Sequence, residues 1–139
     1  MNTEKILESL SEAKESHQQW LDFGLELLNG TDLIQAQQPM RCTECDFGLW
    51  YYAEVDNLRT ISGFQKIELL HADFHHQYDL LFTHAHEAHK PRLFGNRKLR
   101  QCLEEDYLKL ENFSILLVKA LEDIEQKLST TTFKEQHKP

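Results

Sequence analysis

At 139 residues, 40% of them hydrophobic and 27% charged, the chain has the length and composition of one globular domain rather than of a disordered segment. Its formal net charge of -8 argues against a nucleic-acid-binding surface, which draws its affinity from clustered Lys and Arg. No stretch approaches the roughly 20 apolar residues of a membrane span and the N-terminus has no signal-peptide core, so a soluble, cytoplasmic protein without a membrane partner is expected.

From Thr3 to Asn29, Ile6, Leu10, Ala13, His17, Trp20, Leu21 and Leu28 recur mostly at three- and four-residue steps, the period of an amphipathic helix. Asn29-Gly30 supplies its stop. Residues 30 to 45 are polar and Gln-rich, with Gly30 and Pro39, and read as a long connection into a short segment around Phe47 to Leu58.

Ser62 and Gln65 match a capping box, and Phe64, Ile67, His71, Phe74, Tyr78, Leu81, Phe82 and Ala85 trace one face of the next helix, ended by Pro91 and Gly95. Asn96 caps a last long helix with the stripe Leu99, Leu103, Leu110, Phe113, Leu117, Leu121, Ile124 and Leu128; a polar, frayed tail follows from Ser129. The expected fold is all-α, an antiparallel four-helix bundle with a short extra helix, over residues 1–128, with 129–139 as a C-terminal tail.

The chemistry lies in the histidines and cysteines. Three cysteines do not make the even-numbered framework of a small secreted domain, so metal, redox chemistry or packing must explain them. His71 and His75, four apart on one helix face, bring two imidazoles within reach of one metal ion. His17 interrupts an apolar stripe and so points into the bundle, and Cys45 follows the long loop, where Gly48 lets the backbone turn closely while Phe47 and Trp50 shield it. The four are candidates for one tetrahedral zinc set, and the residues alone leave hydrogen-bonded core histidines as the alternative.

Two motifs argue against hydrolysis. A fourth protein ligand closes the position a catalytic zinc keeps for water, and Ala72 stands where the HExxH metalloprotease helix carries its glutamate. The chain is therefore expected not to be an enzyme.

His17 in SHQQW, Cys45 in CDFGLWYY and His71 and His75 in HADFH resemble, in that order, the pattern of the chemoreceptor zinc-binding (CZB) family over roughly residues 10 to 128. The resemblance implies a helical bundle in which three histidines and one cysteine bind Zn2+. It implies further that zinc or an oxidant at the site modulates a signalling protein such as a chemoreceptor or a diguanylate cyclase, and that a homodimer is possible. No output module is recognisable in the 139 residues, which leaves action on a partner in trans or a longer protein as the alternatives. A structural zinc in a protein-interaction module is the competing reading, and a zinc hydrolase a weaker one.

The remaining candidates have plainer readings. Cys42 forms a C-x-x-C pair with Cys45 and is a spectator or resolving thiol; Cys102 is a core residue; Tyr51 and Tyr52 are core aromatics, with support of the metal ligands or a partner surface as the sharper alternatives. His76, His84, His86 and His89 are solvated, with a weak second metal site at His86 and His89 the sharper alternative.

Overall fold

A computed structural model describes residues 2–88 and 97–136, with side chains up to Thr130. Five helices follow in order: α1 (Thr3–Leu28), α2 (Asp46–Ala53), α3 (Val55–Leu58), α4 (Phe64–Ala88) and α5 (Arg97–Gln136). Among the described residues no helix is long and apolar enough to cross a membrane.

The helix ends follow local chemistry. The Asn2 side chain accepts the Glu4 N–H at the start of α1, satisfying one of the amides a helix leaves free there. At the other end Gly30, with φ +88°, takes the left-handed turn that costs other residues strain. The Gly30 N–H then donates to the Leu27 carbonyl and the Thr31 N–H to the Glu26 carbonyl, the pair of bonds of a Schellman stop.

The start of α4 differs from the expected capping box by one residue. Phe64 is the first helical residue, so Gly63 (φ +104°) occupies the position assigned to Ser62. A Cβ at Gly63 would stand 3.3 Å from Ile124, so close packing of α5 against this turn favours a glycine there.

The three long helices and α2 form the four-membered bundle, and α3 is the short extra helix. The contacts fix their directions. His17, Trp20 and Gly24 of α1 meet His71, Tyr78 and Leu81 of α4 in ascending order, so α1 and α4 run the same way. Helix α5 runs against both, with Leu110 at Gly24, Ile124 at Gly63 and Glu125 in an ion pair with Lys14. Helix α2 also descends, from Phe47 beside His71 to Tyr51 beside Phe64.

The core follows the predicted stripes with local exchanges. Leu27 rather than Leu28 is fully buried on α1, and Gln77 enters the α4 core face by donating from Nε2 to the Asp106 carbonyl at 3.1 Å. Tyr51, Phe64, Phe74 and Tyr78 are fully buried, each contributing roughly 1.5–3 kcal/mol of apolar transfer. Cys102 is only half-buried, beside the buried Leu103.

Helix α5 continues past Leu128 to Gln136, so the polar tail expected from Ser129 begins inside a helix. Pro91, Gly95 and Asn96, read as helix punctuation, lie outside the described residues, as does His89 of the weaker second metal pair.

Candidate metal centre

Three elements and one loop build the site. Helix α1 carries His17, α4 carries His71 and His75 one turn apart, and Cys45 stands at the N-cap of α2. All four are buried, with relative exposures of 0%, 2%, 3% and 4% for His17, His71, His75 and Cys45. One ligating atom from each lies within 4.8 Å of every other, which is the only such group of His, Cys, Asp and Glu among the described residues.

The backbone orients the imidazoles. His17 Nδ1 lies 2.7 Å from the Ala13 carbonyl one turn back on α1, and His75 Nδ1 lies 3.1 Å from the Met40 carbonyl of the long loop. A carbonyl only accepts, so each Nδ1 carries the proton and each Nε2 a lone pair. Both Nε2 atoms are buried without a hydrogen-bond partner. An unpaired buried lone pair costs about 1–3 kcal/mol, and two on residues of one cluster mark a position for an electrophile.

The sulfur is held by the start of α2. Cys45 Sγ accepts the Gly48 N–H at 3.4 Å and lies 3.2 Å from His71 Nε2. Gly48 is required by space rather than by its backbone angles, since a Cβ there would stand 1.8 Å from the Cys42 carbonyl oxygen. That close approach folds the 42–45 turn back onto α2 and sets the sulfur over His71.

Electrostatics favour neutral ligands. Burial, reinforced by the neighbouring His17 and His75, pushes His71 down to about 2, and burial with His17 pushes His75 down to about 4. His17 is lowered by burial against the opposing pull of the Ala13 carbonyl. Burial raises the Cys45 thiol, opposed by the Gly48 and Phe47 amides. The centre thus offers three uncharged imidazoles and one thiol with a proton to lose, and a divalent cation offsets the burial of the resulting thiolate.

The donor set fits a metal. A tetrahedron with bonds of roughly 2.0–2.3 Å has edges of roughly 3.3–3.8 Å, so a cluster already within 4.8 Å needs small side-chain closures. Aromatic rings exclude water: Phe47 lies 4.9 Å from His71, Phe74 5.4 Å from His17 and Trp20 5.1 Å from His75, centroid to centroid. Trp50, expected as a shield, instead packs behind Phe47 at 5.8 Å.

Residues 17–80 match the family described as the chemoreceptor zinc-binding domain. The stretch from 17 to 80 is thus similar to a chemoreceptor zinc-binding domain. The match covers just under half of the 139 residues, opens on His17 and takes in all four residues of the cluster. Comparison with curated proteins and with solved structures gives no match. Within the matched stretch the long loop has a structural task, because its Met40 carbonyl orients His75 and its Gln37 carbonyl accepts the Tyr78 hydroxyl at 2.6 Å.

The other candidates fall outside the cluster. His76 and His86 are exposed, as expected. His84, expected to be solvated, instead forms a short ion pair through Nδ1 with Asp106 of α5. Cys42 is half-buried, with its carbonyl 3.7 Å from Cys45 Sγ.

Tyr51 and Tyr52 add a polar role to the core packing expected of them. Both hydroxyls donate to Glu68, at 2.7 and 3.2 Å, and Arg59 donates to the same carboxylate at 2.7 Å. Glu68 stands one turn before His71, so this clamp fastens α2 to α4 beside the metal centre.

Proposed function

We propose that His17, Cys45, His71 and His75 hold one zinc ion and that the domain is a cytoplasmic sensory or regulatory module acting on a signalling partner. The observation that carries this reading is that the Nε2 atoms of His17 and His75 are buried without a partner, in a group of four residues whose ligating atoms, one from each, lie within 4.8 Å of one another. Zinc suits three neutral imidazoles and one thiolate, and four protein ligands leave no open position for hydrolytic water. The site is accordingly regulatory rather than catalytic.

Bound zinc supplies the charge that keeps a buried Cys45 deprotonated. The chain's own groups do the rest: the Ala13 and Met40 carbonyls fix two imidazole tautomers, and the Gly48 amide steadies the sulfur. Cys45 is the one ligand open to oxidation. Its thiolate attacks the chlorine of hypochlorous acid; chloride leaves with hydrolysis to the sulfenic acid, and condensation with the Cys42 thiol releases water and forms a disulfide. Partners of the kind the family serves, a chemoreceptor or a diguanylate cyclase, would read the resulting loosening of α2, as a homodimer or otherwise.

The test is metal analysis of the purified protein before and after hypochlorous acid. About one zinc per chain, released on oxidation and regained after reduction, is expected. No zinc after reconstitution overturns the ligand assignment, and zinc retained while mass spectrometry shows Cys45 oxidised overturns the redox reading and leaves the structural-zinc alternative.

A further inference from the structure

The four clustered residues are not equally sealed. A cavity of about 230 Å³ opens beside the cluster, between Ser16, Gln19 and Trp20 of α1 and Met40, Glu44 and Asp46 on the other wall. Of the four clustered residues only Cys45 lines it, so the approach from solvent reaches Cys45 while the imidazoles stay behind aromatic rings.

The wall is charged on one side only. Glu44 and Asp46 flank Cys45 in sequence and are exposed, and no Lys or Arg lines the cavity. Glu44 is held in place, because its Oε1 accepts the Arg41 N–H at 3.1 Å. Asp46 occupies the first position of α2, directly after Cys45.

We infer that this cavity is the entrance to Cys45 and that Glu44 and Asp46 make it charge-selective, admitting cations and small uncharged molecules and retarding anions. The inference deepens the regulatory reading of the same centre. Metal cations and neutral oxidants reach the sulfur, whereas anionic thiols and anionic chelators of similar size are slowed. A unit charge about 7 Å away in water changes the local concentration of a monovalent ion by roughly a factor of two to three, so two carboxylates give about five-fold at low ionic strength. The effect fades at 1 M salt, where the screening length is about 3 Å.

The experiment compares alkylation of Cys45 by iodoacetamide and by iodoacetate, followed peptide by peptide with mass spectrometry in the protein as purified. Both reagents form the same S–C bond and expel iodide, so the ratio of their rates cancels the thiolate fraction and any masking by a metal. In the double variant Glu44→Gln, Asp46→Asn the iodoacetamide preference should fall about five-fold, and 1 M NaCl should bring wild type to the variant's value. An unchanged ratio overturns the gate, as does a Cys45 that neither reagent reaches in chelator-treated protein while Cys102 is labelled. Zinc content, measured on the same samples, tests the metal assignment separately: a protein without zinc that still shows the charge-dependent ratio refutes that assignment and keeps the gate.

Discussion

Helix α4 carries histidines in two polar environments about three turns apart. His75 turns Nδ1 to the Met40 carbonyl and leaves Nε2 buried without a partner. His84 meets the Asp106 carboxylate, while the Asp106 carbonyl receives Gln77. The His84 region completes its pairing within the chain, whereas at His75 one ring nitrogen finds no partner there. A buried histidine is thus a ligand candidate where its lone pair lacks a partner, and a packing element where the fold supplies one.

The largest effect should come from substituting the two classes directly. Replacing His17, Cys45, His71 or His75 with Ala should weaken zinc by more than the 10–100-fold typical of outer-shell changes, while His84→Ala leaves stoichiometry and affinity intact. Competition with a chromogenic chelator measures both. Equal losses at His75 and His84 would erase the distinction.

Gly48→Ala should come next. Its methyl would overlap the Cys42 carbonyl, so the 42–45 turn must move and carry the sulfur away from His71. Overpacking of this kind costs about 1–3 kcal/mol, and zinc affinity should drop about ten-fold although no ligand is changed. Wild-type affinity in this variant would show that the sulfur position does not depend on the close turn.

Acid separates the regions more gently. An unfolded chain protonates histidine near 6.5, whereas His75 resists to about 4 and His71 to about 2. Below 6.5 the unfolded state therefore binds more protons, and chelator-treated protein should lose stability as pH falls from 6.5, with the His75 share exhausted near 4. His71→Gln, His75→Gln should flatten that slope in thermal melts, and an unchanged slope would place the acid sensitivity elsewhere.

The smallest effect belongs to the paired region. Asp106→Asn keeps the shape and removes the charge opposite a half-exposed His84, so a loss of about 1 kcal/mol is expected in denaturant melts, with zinc unaffected.

Spacing made much of the centre legible. His71 and His75 at a four-residue step, and His17 inside an apolar stripe, declare inward-facing imidazoles, and the structure brings both together with Cys45. The carbonyls of Ala13 and Met40 were invisible because every residue carries one, and only the fold decides which faces an imidazole. The Glu68 clamp joins residues 9 to 17 positions apart across α2, α3 and α4, a separation no helical period reports. Ser62 misled by one residue because a side-chain preference for capping yielded to the close packing of Ile124 over Gly63. The shared direction of α1 and α4 also had no signature, since an apolar stripe reads the same both ways.

One atom in this molecule has two jobs. Cys45 Sγ faces the imidazoles and also accepts the Gly48 amide as the cap of α2. The cap, the Glu68 clamp and the two carbonyl bonds to His17 and His75 are made by the chain alone, so they hold the four side chains near their working positions with or without a cation. Recapture after release then requires no search through conformations, and reloading should run at the pace of arrival rather than of refolding.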